Sequence, residues 1–332
     1  MTASASRKPS QIEPSPNPAL NETSTPDGYQ PRSHTSGENI AELEASLEDK
    51  PAETTSKRVN TSLWNYPATY TLIGINVIVF AVMFPLGPVP AMIHAHAWTG
   101  VLTASFDPET LRHFGATSSE LIHQNGQWWR LVTGAFVHVT LLHILLNMWC
   151  LWNLGLFGEP LLGKRGLVAV YLLTGTAGMM LSYTGAVLFP PPGLPFTPLL
   201  VAGASGAVFG IAGILIVLLS NRKLPVPWEE LRKLRQQVIF FAAINLVLGL
   251  GPDILAMGAA SQLSALHISP DSLPRIDNSA HLGGFLSGLA LGVPLFPRMT
   301  SGRATYRHRQ RITFIAAALL LCLFGYALTK FV

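Results

Sequence analysis

Seven apolar stretches, at about residues 67–85, 136–157, 166–189, 199–220, 236–252, 279–297 and 312–331, come close to or reach the length a helix needs to cross a bilayer. That length is about twenty residues for a hydrocarbon core of ~30 Å. In lipid every backbone N–H and C=O must be satisfied within the protein, so such stretches are predicted to be helices. The chain is therefore expected to be an all-α membrane protein. Its composition agrees: 12% of its residues are charged, against about a quarter in soluble domains. The polar remainder is unevenly placed. Residues 1–58 hold nine of the eighteen acids and are rich in Ser, Thr and Pro. Such a segment buries too little apolar surface to offset its ordering entropy and is predicted to be a disordered tail. It does not have the charged-then-apolar pattern of a cleavable signal peptide, nor the acid-poor pattern of a transit peptide. Cys150 and Cys322 both lie in apolar stretches, so no disulfide framework or Cys-x-x-Cys metal site is expected.

Basic residues in short loops set the orientation. Lys57 and Arg58 precede span one, Lys164 and Arg165 join spans two and three, and the 221–235 and 298–311 connections hold five each. The opposite side carries only Arg112, Arg130, Arg275 and Lys330, so the count is fourteen against four. The N-terminus is thus predicted to be cytoplasmic, with spans two, four and six all running from the outer face inward. The basic residues sit in short clusters and form no continuous patch, so the net charge of +4 does not point to nucleic acid.

That parity brings polar residues together. Span two opens with His138, His143 and Asn147, span four with Gly203-Ala204-Ser205-Gly206, and span six with Asn278-Ser279-Ala280-His281. At 1.5 Å per residue all lie roughly 5–10 Å below the outer face. Intramembrane polar residues are costly and by default functional. A serine and a histidine suffice for nucleophilic acyl transfer when oxyanion donors are near. Gly284 and Gly288 lie three and seven residues after His281. This small-residue stripe lets spans four and six approach closely and is expected to bring the imidazole within reach of Ser205. His143 and Asn147 share a helix face and can both donate hydrogen bonds. Asp277 is read as the cap of span six and not as a third catalytic member.

These residues resemble the rhomboid family of intramembrane serine proteases, over roughly residues 65–300. The similarity is carried by His138-x4-His143-x3-Asn147, Gly203-x-Ser205-Gly206, Ala280-His281-x2-Gly284-x3-Gly288, Gly126-Gln127-Trp128-Trp129-Arg130 in the long first loop, and Glu159. The resemblance implies a Ser205 nucleophile, a His281 general base, and an oxyanion hole made by the Ser205 amide with His143 and Asn147. His138, Gly203, Gly206, Gly284 and Gly288 would support that site, and Trp129 and Arg130 would anchor the loop. Phe209 stands where family members often have a tyrosine, and a phenyl ring can still stack on the histidine. The architecture implied is a six-helix core at 59–300 with a seventh helix within 301–332, a six-plus-one arrangement in a plasma (inner) membrane. No cofactor or metal is implied. The partners expected are the bilayer and single-span membrane proteins cut near the outer face. The loop at 253–278, with His267, is expected to act as a cap, and span five, beginning near Gln236 and ending at Leu248–Pro252, as a side gate.

Other readings remain open at this point. A rhomboid-like protein that binds clients without cutting would share the fold, although such members typically lack the serine or histidine. A transporter would favour charges or broken helices near the midplane. A lone membrane serine often bonds its own helix, and His138 can be purely structural. His94-x-His96 has no acid or cysteine partner for a metal. Gly158-x4-Gly163-Lys164 mimics a phosphate loop, but Arg165 stands where Ser or Thr is required, and no strand precedes it. Gly203-x-Ser205-Gly206-Ala207 lacks the final glycine of a nucleophile elbow.

Overall fold

The computed structural model describes residues 62–98, 100–258, 277–298 and 300–331. The polar tail and most of the 253–278 segment, His267 included, lie outside the described residues. Spans one to three are α1 (Pro67–Met83), α6 (Leu141–Leu162) and α7 (Lys164–Leu188). Spans four to seven are α8 (Ser205–Leu218), α9 (Trp228–Gly258), α10 (Asn278–Leu295) and α11 (Arg303–Phe331). Short helices α2 (Val89–His94), α3 (Pro108–His113), α4 (Ser119–Asn125) and α5 (Arg130–Thr133) fill the long first loop. Four helices are long and apolar enough to cross a membrane among the described residues: α1 with its 3₁₀ extension, α6, α7 and α11. Helix α8 is equally apolar but has only 14 residues.

The helix ends differ most from the hydropathy reading in four spans. Span two begins at Leu141, where the Thr140 side chain accepts from His143 N, so His138 lies ahead of the helix. Span four begins at Ser205 because Leu200–Val201 is extended and pairs antiparallel with Thr117–Ser118, a two-residue ladder in an otherwise helical protein. Span five begins at Trp228 and runs through Leu248–Pro252 to Gly258. Span seven begins at Arg303, well before the apolar run at 312. Hydropathy marks where hydrocarbon begins, whereas a helix continues as long as its residues favour it. Glu, Arg, Lys and Gln are good helix formers, so both helices extend into the polar interface.

Helix α8 is the centre of the bundle, with Gly206–Leu215 buried throughout. Helix α10 lies parallel to it in register: Gly284 meets Gly206 O and Gly288 meets Gly210 O, so close that a Cβ at either position would collide with backbone. Helix α7 runs antiparallel, with Gly178 beside Gly206 and Thr174 against Gly210. The expected small-residue stripe is thus the α8–α10 contact.

Two polar bridges secure the periphery. The buried Glu159 carboxylate accepts from Ala68 N (2.9 Å), Thr69 N (2.8 Å) and Thr69 Oγ1 (2.8 Å). It caps α1 from another helix, placing an anion at the positive end of the helix dipole, where Tyr66 provides no side-chain cap. On α1, Asn76 donates to Tyr171 OH (3.0 Å), which donates to Ala135 O (2.8 Å).

Candidate active site

The first loop is built around Arg130, which is 5% exposed. Its guanidinium donates to Arg112 O (2.6 Å), Ala116 O (3.1 Å) and Gln127 Oε1 (2.7 Å). Its own carbonyl accepts from Thr117 Oγ1 (2.9 Å). Trp129 lies beneath the guanidinium at 4.5 Å and is otherwise half exposed. Desolvation and the nearby Arg112 lower the Arg130 pKa from its usual value. Arg130, with Trp129 beneath it, therefore holds the loop together, and neither is hydrogen-bonded or stacked on His138, His143 or His281 among the described residues. The loop is also joined to α6 through Phe106 N to Val139 O (3.1 Å) and Leu142 N to Leu102 O (2.8 Å).

Gly203 organises the approach to α8. Its φ of +133° is a conformation that L side chains rarely adopt, and a Cβ there would sit 2.7 Å from His143 Cε1. Its amide donates to Gly134 O (2.9 Å), and the next amide, Ala204 N, donates to His138 Nε2 (3.4 Å). His138 thus acts on the turn ahead of the serine, and its ring lies edge-on to that of His143 at 5.1 Å. Ser205 follows as the first residue of α8, half-buried, with its Oγ on the same side of Gly203 as the His143 ring. At 1.5 Å per residue, fourteen residues span about 21 Å, less than the ~30 Å hydrocarbon core. In a bilayer, the non-helical backbone ahead of so short a helix is tolerated only against protein or a wet cavity.

His143 and Asn147 lie on one face of α6, with Asn147 Nδ2 donating to His143 O (3.0 Å). An amide nitrogen has two hydrogens, so one remains for a ligand. From α10, the buried His281 ring stacks on Phe209 with centroids 4.5 Å apart and planes 15° apart. Phe209 is one turn beyond Ser205, so the imidazole covers the α8 face that carries the serine. No hydrogen bond joins Ser205 and His281 among the described residues, and His281 Nδ1 is buried without a partner. Catalytic hydrogen bonds are often long before substrate binds. Asp277 is engaged elsewhere: it accepts from Ser279 N (2.9 Å) and Ala280 N (3.1 Å), and from Ser182 Oγ on α7. It caps α10, as its position suggested, and ties that cap to α7.

The structure thus brings Ser205, His143, Asn147, His281 and Phe209 together, and gives His138 and Gly203 to the turn behind the serine. Gly206, Gly284 and Gly288 form the helix contact beneath. The sequence reading missed Thr140, although a Thr three residues before a histidine in a first turn is an N-cap signal. It also missed Ser182 and Gly134, which carry no local signal at all.

The rhomboid domain family matches residues 125–298. Rhomboid protease GluP of Bacillus subtilis (strain 168) is 34% identical over 195 residues, covering 57% of this chain and 31% of that protein. Rhomboid-like protease 2 of Toxoplasma gondii is 31% identical over 221 residues, covering 65% of this chain and 66% of that protein. RHOMBOID-like protein 1 of Arabidopsis thaliana is 30% identical over 203 residues, covering 61% and 43%. The chain spans about a third to two thirds of these relatives' lengths. With its matched domain covering half its length, and its apolar helices, the chain belongs to the rhomboid family of integral membrane proteins.

Proposed function

We propose that this protein is an intramembrane serine endopeptidase that cuts single-span membrane proteins near the outer membrane face. The observation that carries this reading is the convergence on one helix end: Ser205 at the start of α8, His143 against Gly203, and His281 stacked on Phe209. Two relatives are named as proteases, which agrees with it.

In this reading His281 takes the Ser205 hydroxyl proton as Oγ bonds to the scissile carbonyl carbon. The developing oxyanion accepts from the Ser205 amide, His143 and Asn147, helped by the positive end of the α8 dipole. His281 then gives the proton to the leaving nitrogen as the C–N bond breaks, and an acyl-enzyme remains. A water, deprotonated by His281, attacks the ester; the carboxylic acid leaves and Ser205 regains its proton. Stacking on Phe209 holds the imidazole in place of a carboxylate partner.

The finer architecture belongs to the same proposal. A polar cytoplasmic tail at 1–58 precedes a six-helix core at 59–300, and α11 is the added seventh helix, in a plasma membrane with the N-terminus inside. A peptide bond in a helix is shielded by its own hydrogen bonds, so substrates must unwind near their outer end. Helix α9 is the side gate, and the loop read at 253–278, most of which lies outside the described residues, is the cap. The test is incubation of the purified protein in vesicles with a panel of single-span substrates. Cleavage that is lost in Ser205→Ala is expected. Cleavage at the wild-type rate by Ser205→Ala would overturn the protease reading.

A further inference from the structure

A second polar recess lies at the opposite end of the bundle, where α11 crosses the turn between α6 and α7. It is a cleft of about 300 Å³ whose lining includes Lys164, Arg165, Arg307 and Arg311, with Leu162 and Phe314 as apolar contacts. All four cations are solvent-exposed, and among the described residues none of them pairs with an acid. Arg307 and Arg311 are four residues apart on one helix, a like-charge spacing that destabilises a helix unless an anion intervenes. The cleft is held open by a specific contact: the buried Gln310 donates Nε2 to Leu162 O at 2.9 Å, docking α11 on the end of α6. The first amides of α7, a 25-residue helix, start at this cleft and add the positive end of its dipole. The Gly158-x4-Gly163-Lys164 run, rejected as a nucleotide loop, ends here.

A topology signal alone needs basic residues on one side of the membrane. It does not need two basic pairs, some 140 residues apart in the chain, to face one recess. We propose that this cleft binds the phosphate of an anionic phospholipid, one with a net negative headgroup such as a phosphatidylglycerol, and that this lipid fastens α11 to the core. The apolar contacts decide between sources of phosphate. Leu162 is buried in the core beneath the cleft, but Phe314, half-buried at its edge, sits where α11 passes into its apolar segment, a place that suits the glycerol and upper acyl chain of a lipid and offers nothing to free phosphate. Helix α11 has few other attachments, since its apolar window is only 11% buried. The inference does not depend on whether the protein cleaves anything.

The test uses the full-length protein in detergent, with native mass spectrometry and thermal unfolding, titrated with phosphatidylglycerol or with phosphatidylcholine. Selective retention of phosphatidylglycerol with a raised unfolding midpoint is expected. A charge-assisted hydrogen bond to a phosphate oxygen is worth roughly tenfold in affinity, so the double variant Arg307→Gln/Arg311→Gln should bind at least about tenfold more weakly. The matched variant Arg222→Gln/Lys223→Gln, outside the cleft, should bind as wild type. Equal loss in both variants would overturn the site in favour of diffuse surface attraction. The same stabilisation by inorganic phosphate alone would overturn the lipid as the ligand.

Discussion

Helix α10 meets α8 backbone to backbone, at Gly284 on Gly206 and Gly288 on Gly210, whereas α9 meets α8 through side chains such as Phe241 on Phe209 at 6.4 Å. The first contact leaves no slack, because interiors packed at crystal-like density lose many dispersion contacts on any displacement. The second is soft. Val238 and Ala242 of α9 are buried, but Phe240 and Val247 remain 68% and 63% exposed, and the α8–α9 contact is much the sparser of the two. Ser205 and His281 are thus carried on the rigid pair, and the proposed gate on the loose one. Precision and access are divided between two neighbours of a single helix.

The largest test of that division removes the chemistry and leaves the frame. Ser205→Ala and His281→Ala should each reduce labelling by a serine-directed fluorophosphonate by roughly 10⁴-fold or more, with the thermal midpoint unchanged in Ser205→Ala and lowered in His281→Ala, which loses its stack on Phe209. Persistent labelling of His281→Ala would mean that another group activates the serine. Next in size, His143→Ala and Asn147→Ala should each slow substrate turnover by about 10²–10³-fold, or ~2.7–4 kcal/mol, with binding retained. Wild-type rates in both would place the oxyanion donors elsewhere.

A smaller effect sharpens the packing side of the comparison. Gly284→Ala forces a methyl against the Gly206 carbonyl and should destabilise by about 1–3 kcal/mol. Gly185→Ala on α7, where nothing lies within 4 Å, should instead stabilise by roughly 0.5–1 kcal/mol. Thermal unfolding of both in the same detergent reads the sign directly, and a Gly284→Ala variant as stable as wild type would refute the close α8–α10 contact. Smallest of all, Phe241→Ala should free α9 and raise cleavage of membrane substrates about two- to fivefold, a barrier change under ~1 kcal/mol. Acylation by small soluble probes should not change. If both rates rose together, Phe241 would be acting through Phe209 and the His281 ring and not through the gate.

Much of the site was legible in the chain because its residue types are expensive in a membrane. His143, Asn147, Ser205 and His281 stand out against leucine and valine, and the count of basic residues placed them on helices of one direction. The glycines at 206, 284 and 288 announced a close helix pair through spacing alone. The lead-in turns were not legible. His138 and Gly203 read as first-turn residues of helices, yet both precede them, since the Thr140 cap and the Leu200–Val201 pairing with Thr117–Ser118 decide where α6 and α8 begin. Nor could hydropathy find the starts of α9 and α11, whose charged first turns continue the helix outside the apolar run.

The sequence by itself determined that this chain is helical and membrane-embedded, and which side chains are chemically able to act, because hydrophobicity, charge and residue type are local properties. Tertiary structure alone decided that α8 starts at Ser205 and is only 14 residues long, and that Phe209 seats the His281 ring. It also decided that Glu159 caps a helix some ninety residues away and that two distant basic pairs share one cleft. Those outcomes rest on hydrogen bonds and contacts between segments far apart in the chain, and no local pattern encodes which distant partner a donor, a ring or a charge will meet.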